Sequence, residues 1–220
     1  MAYRRTERIS KRLAARRAEI IIAARDIAAE DGLAALQIAP VAMRAKIAAG
    51  TVYRYFPGKV DLVGAVLADI QQSELVAIAA AVERAPGPLS AVAAAVVTFV
   101  DRAVGRPGLI AAALAPAAEF VPPGPYRGFQ HVIASEFEMR IAAAIDAGHL
   151  PAQDAAGSAA ATLGAIAECA VGPLARTSGA AVARREAGLM AALFALRGLG
   201  IPDARARGLI MQVPLERIPF

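Results

Sequence analysis

The sequence predicts an all-helical protein, and three features carry that prediction. Hydrophobic residues fill 57% of the 220 positions, and much of this is alanine, the strongest helix former. Apolar positions recur at three- and four-residue spacing, while alternating β-branched runs are scarce. Proline and glycine clusters ("EDG", "PG", "APGP", "GRPG", "VPPGP", "GHLP") then divide the chain into pieces of helix length.

Charge divides it again. Residues 1–60 carry 12 Lys+Arg against 5 Asp+Glu, a net of +7, and seven of those basic residues lie within the first 17 positions. Residues 61–220 carry 12 against 14, a net of −2. A segregated positive end of this kind contacts nucleic acid or an anionic surface. The expected organisation is a basic arm with a small helical unit over 1–60 and a larger helical domain over 61–220.

Taken in order, Ile20, Ala24, Ile27 and Ala28 mark the buried side of a first helix, with Arg17, Arg25 and Asp26 elsewhere on the wheel. "EDG" ends it: Gly32 is placed for a left-handed closing residue and Leu33 for the apolar contact that follows. A second, short helix starts near Gln37, tolerates Pro40 in its first turn and ends near Ala45, with Val41 and Ala42 inward. After a turn around Lys46 and Ile47, a third helix runs from about Ala48 to Phe56. Val52 and Phe56 share its buried side; Thr51, Arg54 and Tyr55 share the outer one. Pro57-Gly58 stops it, and Gly58 caps a fourth helix with Asp61 in its first turn. Further helices are expected over 59–84, 88–105, 108–120, 126–147, 151–175 and 180–198. The tail from Ile201, with Pro202, Pro214 and Pro219, is expected to be mostly extended or irregular.

Two short helices joined by a tight turn make a helix-turn-helix. In that motif the first helix crosses the DNA backbone and the N-terminal end of the second enters the major groove. Base edges would then meet Ala48, Ala49, Gly50 and Thr51, while Tyr53, Tyr55 and Lys59 reach phosphates. Arg44, Lys46 and Arg54 are further candidates for DNA contact. The two tyrosines have a plainer reading as partly buried core aromatics. The arm has two readings as well. Arg4, Arg5, Arg8, Lys11 and Arg12 either form a disordered tail in the absence of DNA or order on it along phosphates and the minor groove.

"IIIAARDIAAEDGLAALQIAPVAMRAKIAAGTVYRYFPGKVDLVGAVL" resembles the N-terminal DNA-binding domain of the TetR (tetracycline-repressor-like) family of transcriptional regulators. The likeness runs from about Arg16 to Leu67 and is densest at Gly50–Phe56, Lys59 and Leu62. It implies DNA contacts by Thr51, Tyr53, Tyr55 and Lys59 and a repressor bound as a homodimer to a pseudo-palindromic operator. It also implies that a small-molecule effector switches the affinity, and that the last two long helices pair across a two-fold axis. Departures from the family pattern are Lys46, where the turn usually has glycine, and Gln37 and Ala48, where the second and third helices usually begin with Ser or Thr.

In the larger domain, Gly157, Ala161 and Gly164 lie close to one face of 151–175, and Leu189, Leu193 and Leu196 form a stripe on 180–198. Each set is either a dimer face or ordinary core. The resemblance implies a ligand cavity among the middle helices, with Phe99, Phe120, Tyr126 and Phe129 as apolar walls and Arg102 and His131 as polar groups. Walls of that kind suit a lipophilic or aromatic effector.

Several classes are excluded as expectations. The longest uncharged run, Ala85 to Val100, has 16 residues against the roughly 20 a spanning helix needs, so no membrane partner is expected. The basic start has no apolar signal core, and the single Cys169 suits a reducing cytoplasm. His131 and His149 stand far apart and no metal-ligand, nucleophile-elbow or phosphate-loop spacing occurs, so neither enzyme, metal nor cofactor is expected.

Overall fold

The computed structural model describes residues 2–115, 128–172, 175 and 181–215, with side chains at all of these except 2–6, 8 and 181. The described residues form ten α-helices and one 3-10 turn and contain no strand. The helices are α1 (Ala2–Asp31), α2 (Ile38–Arg44), α3 (Ala49–Tyr55), α4 (Lys59–Glu83), α5 (Pro88–Gly105) and α6 (Pro107–Leu114), then α7 (Phe129–Asp146), α8 (Ala155–Val171), α9 (Ala181–Gly198) and α10 (Asp203–Gln212), with the 3-10 turn at Leu33–Ala35.

Most boundaries fall where proline and glycine placed them. Gly58 caps α4 with Asp61 in its first turn, and Pro88 and Pro107 open α5 and α6, where the missing N–H is harmless. Gly32 follows α1 with φ 79°. Its ψ of 172° puts it outside the left-handed helical region, in a conformation that is glycine's almost alone.

One expectation, that for the tail, needs correction, and one open reading is narrowed. The basic arm belongs to an ordered helix: α1 is continuous from Ala2. No glycine or proline interrupts 2–31, and Glu7–Lys11 at 2.9 Å and Arg16–Glu19 at 2.6 Å support the exposed turns. The tail contains a helix, α10, because Pro202 stands at its N-cap and Pro214 beyond its end, so the prolines bracket the segment. Ala206 and Leu209 anchor α10 by burial, and it packs on α5 and α9.

α5 is the central helix, in contact with α4, α6, α7, α8, α9 and α10. Its Phe99 meets Phe129 and Phe137 of α7 at centroid separations of 6.3 and 6.0 Å, the latter edge-to-face. By length and composition alone, α4 and α5 are apolar enough to cross a membrane, contrary to the run-length expectation. The apolar stretch of α5 is instead 72% buried within the bundle.

The N-terminal unit is seated on the rest through α1, which packs on α2, on α4 and most extensively on α6. At that last contact Gly108 lies so close to the α1 backbone that a Cβ on it would sit 2.0 Å from the Ala29 carbonyl oxygen.

Candidate nucleic-acid interface

The turn between α2 and α3 is built from a complete Schellman closure. The Lys46 N–H donates to the Met43 carbonyl at 3.1 Å and the Ile47 N–H to the Ala42 carbonyl at 3.0 Å. Lys46 itself has φ 54°, the one positive φ outside glycine among the described residues. Neither Gln37 nor Ala48 makes a side-chain cap to the helix it opens, as their residue types required.

α3 buries Val52, and Phe56 just beyond it is 2% exposed. Arg17 of α1 lies over the Phe56 ring, 5.2 Å from its centroid, so the basic helix is fixed against the end of α3. The outward face of α3 is Gly50, Tyr53 and Arg54, with Tyr53 53% exposed. This corrects the expected face of Thr51, Arg54 and Tyr55: Thr51 is half-buried on a flank, and Tyr55 is half-buried against the core. The shift is one residue of register, set by the two anchors at 52 and 56. Ala48 is exposed and Ala49 half-exposed.

The cations are disposed unequally. Lys46, Lys11 and Arg12 are exposed, with Lys11 also paired to Glu7. The side chains of Arg4, Arg5 and Arg8 lie outside the described ones. The Lys59 ammonium donates to the Ala34 carbonyl at 2.8 Å, tying the start of α4 to the 3-10 turn. Arg44 holds Glu30 of α1 through two bonds, Nη1 to Oε1 at 2.9 Å and Nη2 to Oε2 at 2.6 Å. That fork lowers the Glu30 carboxyl below its ordinary range, by its hydrogen bonds first and its charge second. No local periodicity links positions 30 and 44, so this pair has no signature along the chain.

In the larger domain the expected ligand groups separate. Phe99 and Phe129 are packed into the aromatic cluster, 0% and 1% exposed. Arg102 is buried and forked onto Glu74 of α4, Nε to Oε2 at 2.6 Å and Nη2 to Oε1 at 2.9 Å, with Ser73 Oγ at 2.9 Å. Its charge is therefore matched within the bundle. Asp101 beside it receives Arg185 of α9 at 2.7 Å. His131 is exposed and lines a 400 Å³ cleft with Leu114, Gln130, Ala134, Ala160, Leu163, Gly164 and Ala167, between α6, α7 and α8. Phe120 and Tyr126 lie outside the described residues.

Of the expected dimer residues, Gly157, Ala161 and Gly164 are exposed on α8. Leu193 and Leu196 are 3% and 0% exposed and belong to the protomer's own core, with Leu189 half-buried against it. The outward face of α9 is Val182, Met190 and Phe194, 61%, 57% and 68% exposed. α9 is apolar on nearly every side, so two stripes of similar spacing competed and periodicity could not rank them. Met190 and Phe194 border a 570 Å³ groove with Cys169 and Glu186.

Residues 20–66 match the family of bacterial regulatory proteins described as the tetR family. No protein of curated function matches the chain by sequence. Among solved structures, RolR in complex with resorcinol is similar at TM-score 0.64 and 21% identity, over 96% of this chain and 100% of that one. A tetR-family regulatory protein from Rhodococcus RHA1 is similar at TM-score 0.69 and 20% identity, over 86% and 98%. The regulator FadR from Bacillus subtilis, bound to stearoyl-CoA, is similar at TM-score 0.62 and 16% identity, over 82% and 97%. The match to the tetR family over residues 20–66 thus coincides with the helix-turn-helix seated on α1, and the all-helical fold is shared with these solved structures along most of the chain.

Proposed function

We propose that this regulator is a homodimeric transcriptional repressor of the cytoplasm, released from or directed to a pseudo-palindromic operator by a small apolar or aromatic effector. Residues 1–60 form the DNA-binding head and 61–220 the effector-binding and dimerising body. The observation that carries this reading is the outward face of α3, Gly50, Tyr53 and Arg54, set beside the basic helix α1. Lys46, Thr51 and Tyr55 flank that face, and Arg4, Arg5, Arg8, Lys11 and Arg12 extend the positive surface along neighbouring phosphates.

Dimerisation fits the exposed faces of α8 and α9, where Gly157 and Ala161 are exposed, Ala161 shares a groove with Phe194, and Met190 is exposed one turn from Phe194. Soluble monomers rarely leave so much contiguous apolar surface uncovered. For the effector, the cleft beside His131 offers 400 Å³ and walls chiefly of alanine and leucine. RolR holds resorcinol and FadR holds stearoyl-CoA; a cleft of this size suits the smaller, aromatic class.

Three ion pairs connect head, body and dimer face in sequence. Arg25 of α1 meets Asp69 of α4 at 2.8 Å, Glu74 of α4 meets Arg102 of α5, and Asp101 of α5 meets Arg185 of α9. A displacement of α4 by effector is thereby transmitted at both ends. Two heads fit two half-sites only at a matching separation, so a small splay lowers operator affinity.

The test is selection of bound duplexes from a random 30-base-pair library by the full-length protein. Fluorescence anisotropy then compares the enriched duplex with a scrambled one at low and physiological salt. The proposal expects a two-fold-related sequence to be enriched and its binding to persist at physiological salt, while scrambled DNA is released. Equal, salt-labile binding to both would overturn it.

A further inference from the structure

The N-cap and the first two residues of α3, Ala48, Ala49 and Gly50, carry no side chain capable of a hydrogen bond. In a helix-turn-helix these are the positions that meet base edges. Arg44, the nearest long cation on α2, is held by both oxygens of Glu30. Ala48 and Gly50 are exposed, so neither serves the core.

Gly50 is the more informative residue. A Cβ built there meets nothing within 4 Å, and its φ lies outside the positive range. The fold therefore has no need of glycine at this point, and alanine would be the better helix former. What glycine provides is close approach by something outside the protomer. Opposite a helix N-terminus in the major groove, that something is a base edge, and thymine alone among the four bases presents a methyl group there.

Resting on the DNA-binding reading above, we infer that this head selects its half-site chiefly by packing Ala48, Ala49 and the bare backbone at Gly50 against thymine methyl groups. Hydrogen bonds from Thr51, Lys46 and Arg54 play the smaller part. The operator it selects carries thymine under the first turn of α3 in each half-site.

The test uses the enriched duplex, resynthesised with single thymines replaced by deoxyuridine, which keeps every hydrogen bond and removes only the methyl. At one or more thymines per half-site, affinity should fall about fourfold, the worth of roughly one buried methyl group. Gly50→Ala provides the protein side. It should unfold at a higher urea concentration than the parent, yet bind the enriched duplex more than about tenfold more weakly, because an added methyl group overfills the gap. Its binding to scrambled DNA should fall by less than its binding to the enriched duplex. Deoxyuridine duplexes bound like the parent, or Gly50→Ala binding the enriched duplex like the parent, would each overturn this inference and leave the regulator reading intact. Failure to enrich any sequence would overturn both.

Discussion

Among the described residues, three helices end in the paired six-to-one and five-to-two closure with a positive φ, and they differ at one residue. α7 closes at Gly148 with φ 71°, α9 at Gly200 with φ 92°, and α2 at Lys46 with φ 54°. A side chain in that conformation brings its Cβ against the following carbonyl, at a cost of about 1–2 kcal/mol. Lys46→Gly should therefore raise stability by about 1 kcal/mol in urea unfolding and lift Tm by roughly 2–4 °C. Salt-dependent DNA affinity should drop as an exposed cation leaves the DNA-facing surface. Unchanged stability would mean the lysine is not strained. The neighbouring Glu30–Arg44 pair adds a pH dependence at the same scale. Because the folded Glu30 carboxyl is depressed, its contribution is complete above the unfolded value and is lost as pH falls through the folded one. Lys46 was legible as a departure in the sequence, since a turn of this type favours glycine. Its partner pair was not, because Glu30 and Arg44 meet only once α1 and α2 have packed.

Helix against helix, the tightest joint is α6 on α1. The Gly108 position lies against a carbonyl of the α1 backbone, and backbone cannot rotate away as a side chain can. Gly108→Ala should destabilise the protein by about 1–3 kcal/mol through overpacking and displace the head, weakening the enriched duplex as well. Gly64→Ala in α4 is the internal control: a Cβ there meets nothing within 4 Å, and it should stabilise by about 1 kcal/mol. Equal effects of the two in urea unfolding would show that the α1–α6 joint yields freely. Element boundaries were readable wherever proline or glycine imposed them. The basic arm was open to two readings, and the existence of α10 was misread: flanking prolines were taken for interruptions, when propensity and burial of Ala206 and Leu209 favour helix.

For the proposed dimer, the surface to test is the outward side of α8 and α9. Phe194, 68% exposed, contributes little to its own protomer's core. Phe194→Asp should leave thermal unfolding of the protomer nearly unchanged while costing dimerisation at least about 2 kcal/mol, as an apolar anchor would. Sedimentation equilibrium reads this directly: a dimer that persists at the same concentration would place the interface elsewhere. The leucine stripe at 189, 193 and 196, open in sequence to a dimer face or ordinary core, shows the limit of periodicity at this scale. Helical spacing identifies an apolar face but not which body covers it, and Leu193 and Leu196 are covered from within.

Taken alone, the sequence determined what depends on neighbours along the chain: helical class, the breaks at proline and glycine, the segregation of positive charge, and the motif around Gly50–Phe56 with its anchors Val52 and Phe56. Those follow from steric preference, residue type and period, which are local. Tertiary structure alone decided which charges are matched and which faces are free. It pairs Arg44 with Glu30 and Arg102 with Glu74, buries Leu196 and exposes Phe194. The physical reason is that desolvation and ion pairing depend on distances between residues far apart in sequence, fixed only when the helices pack.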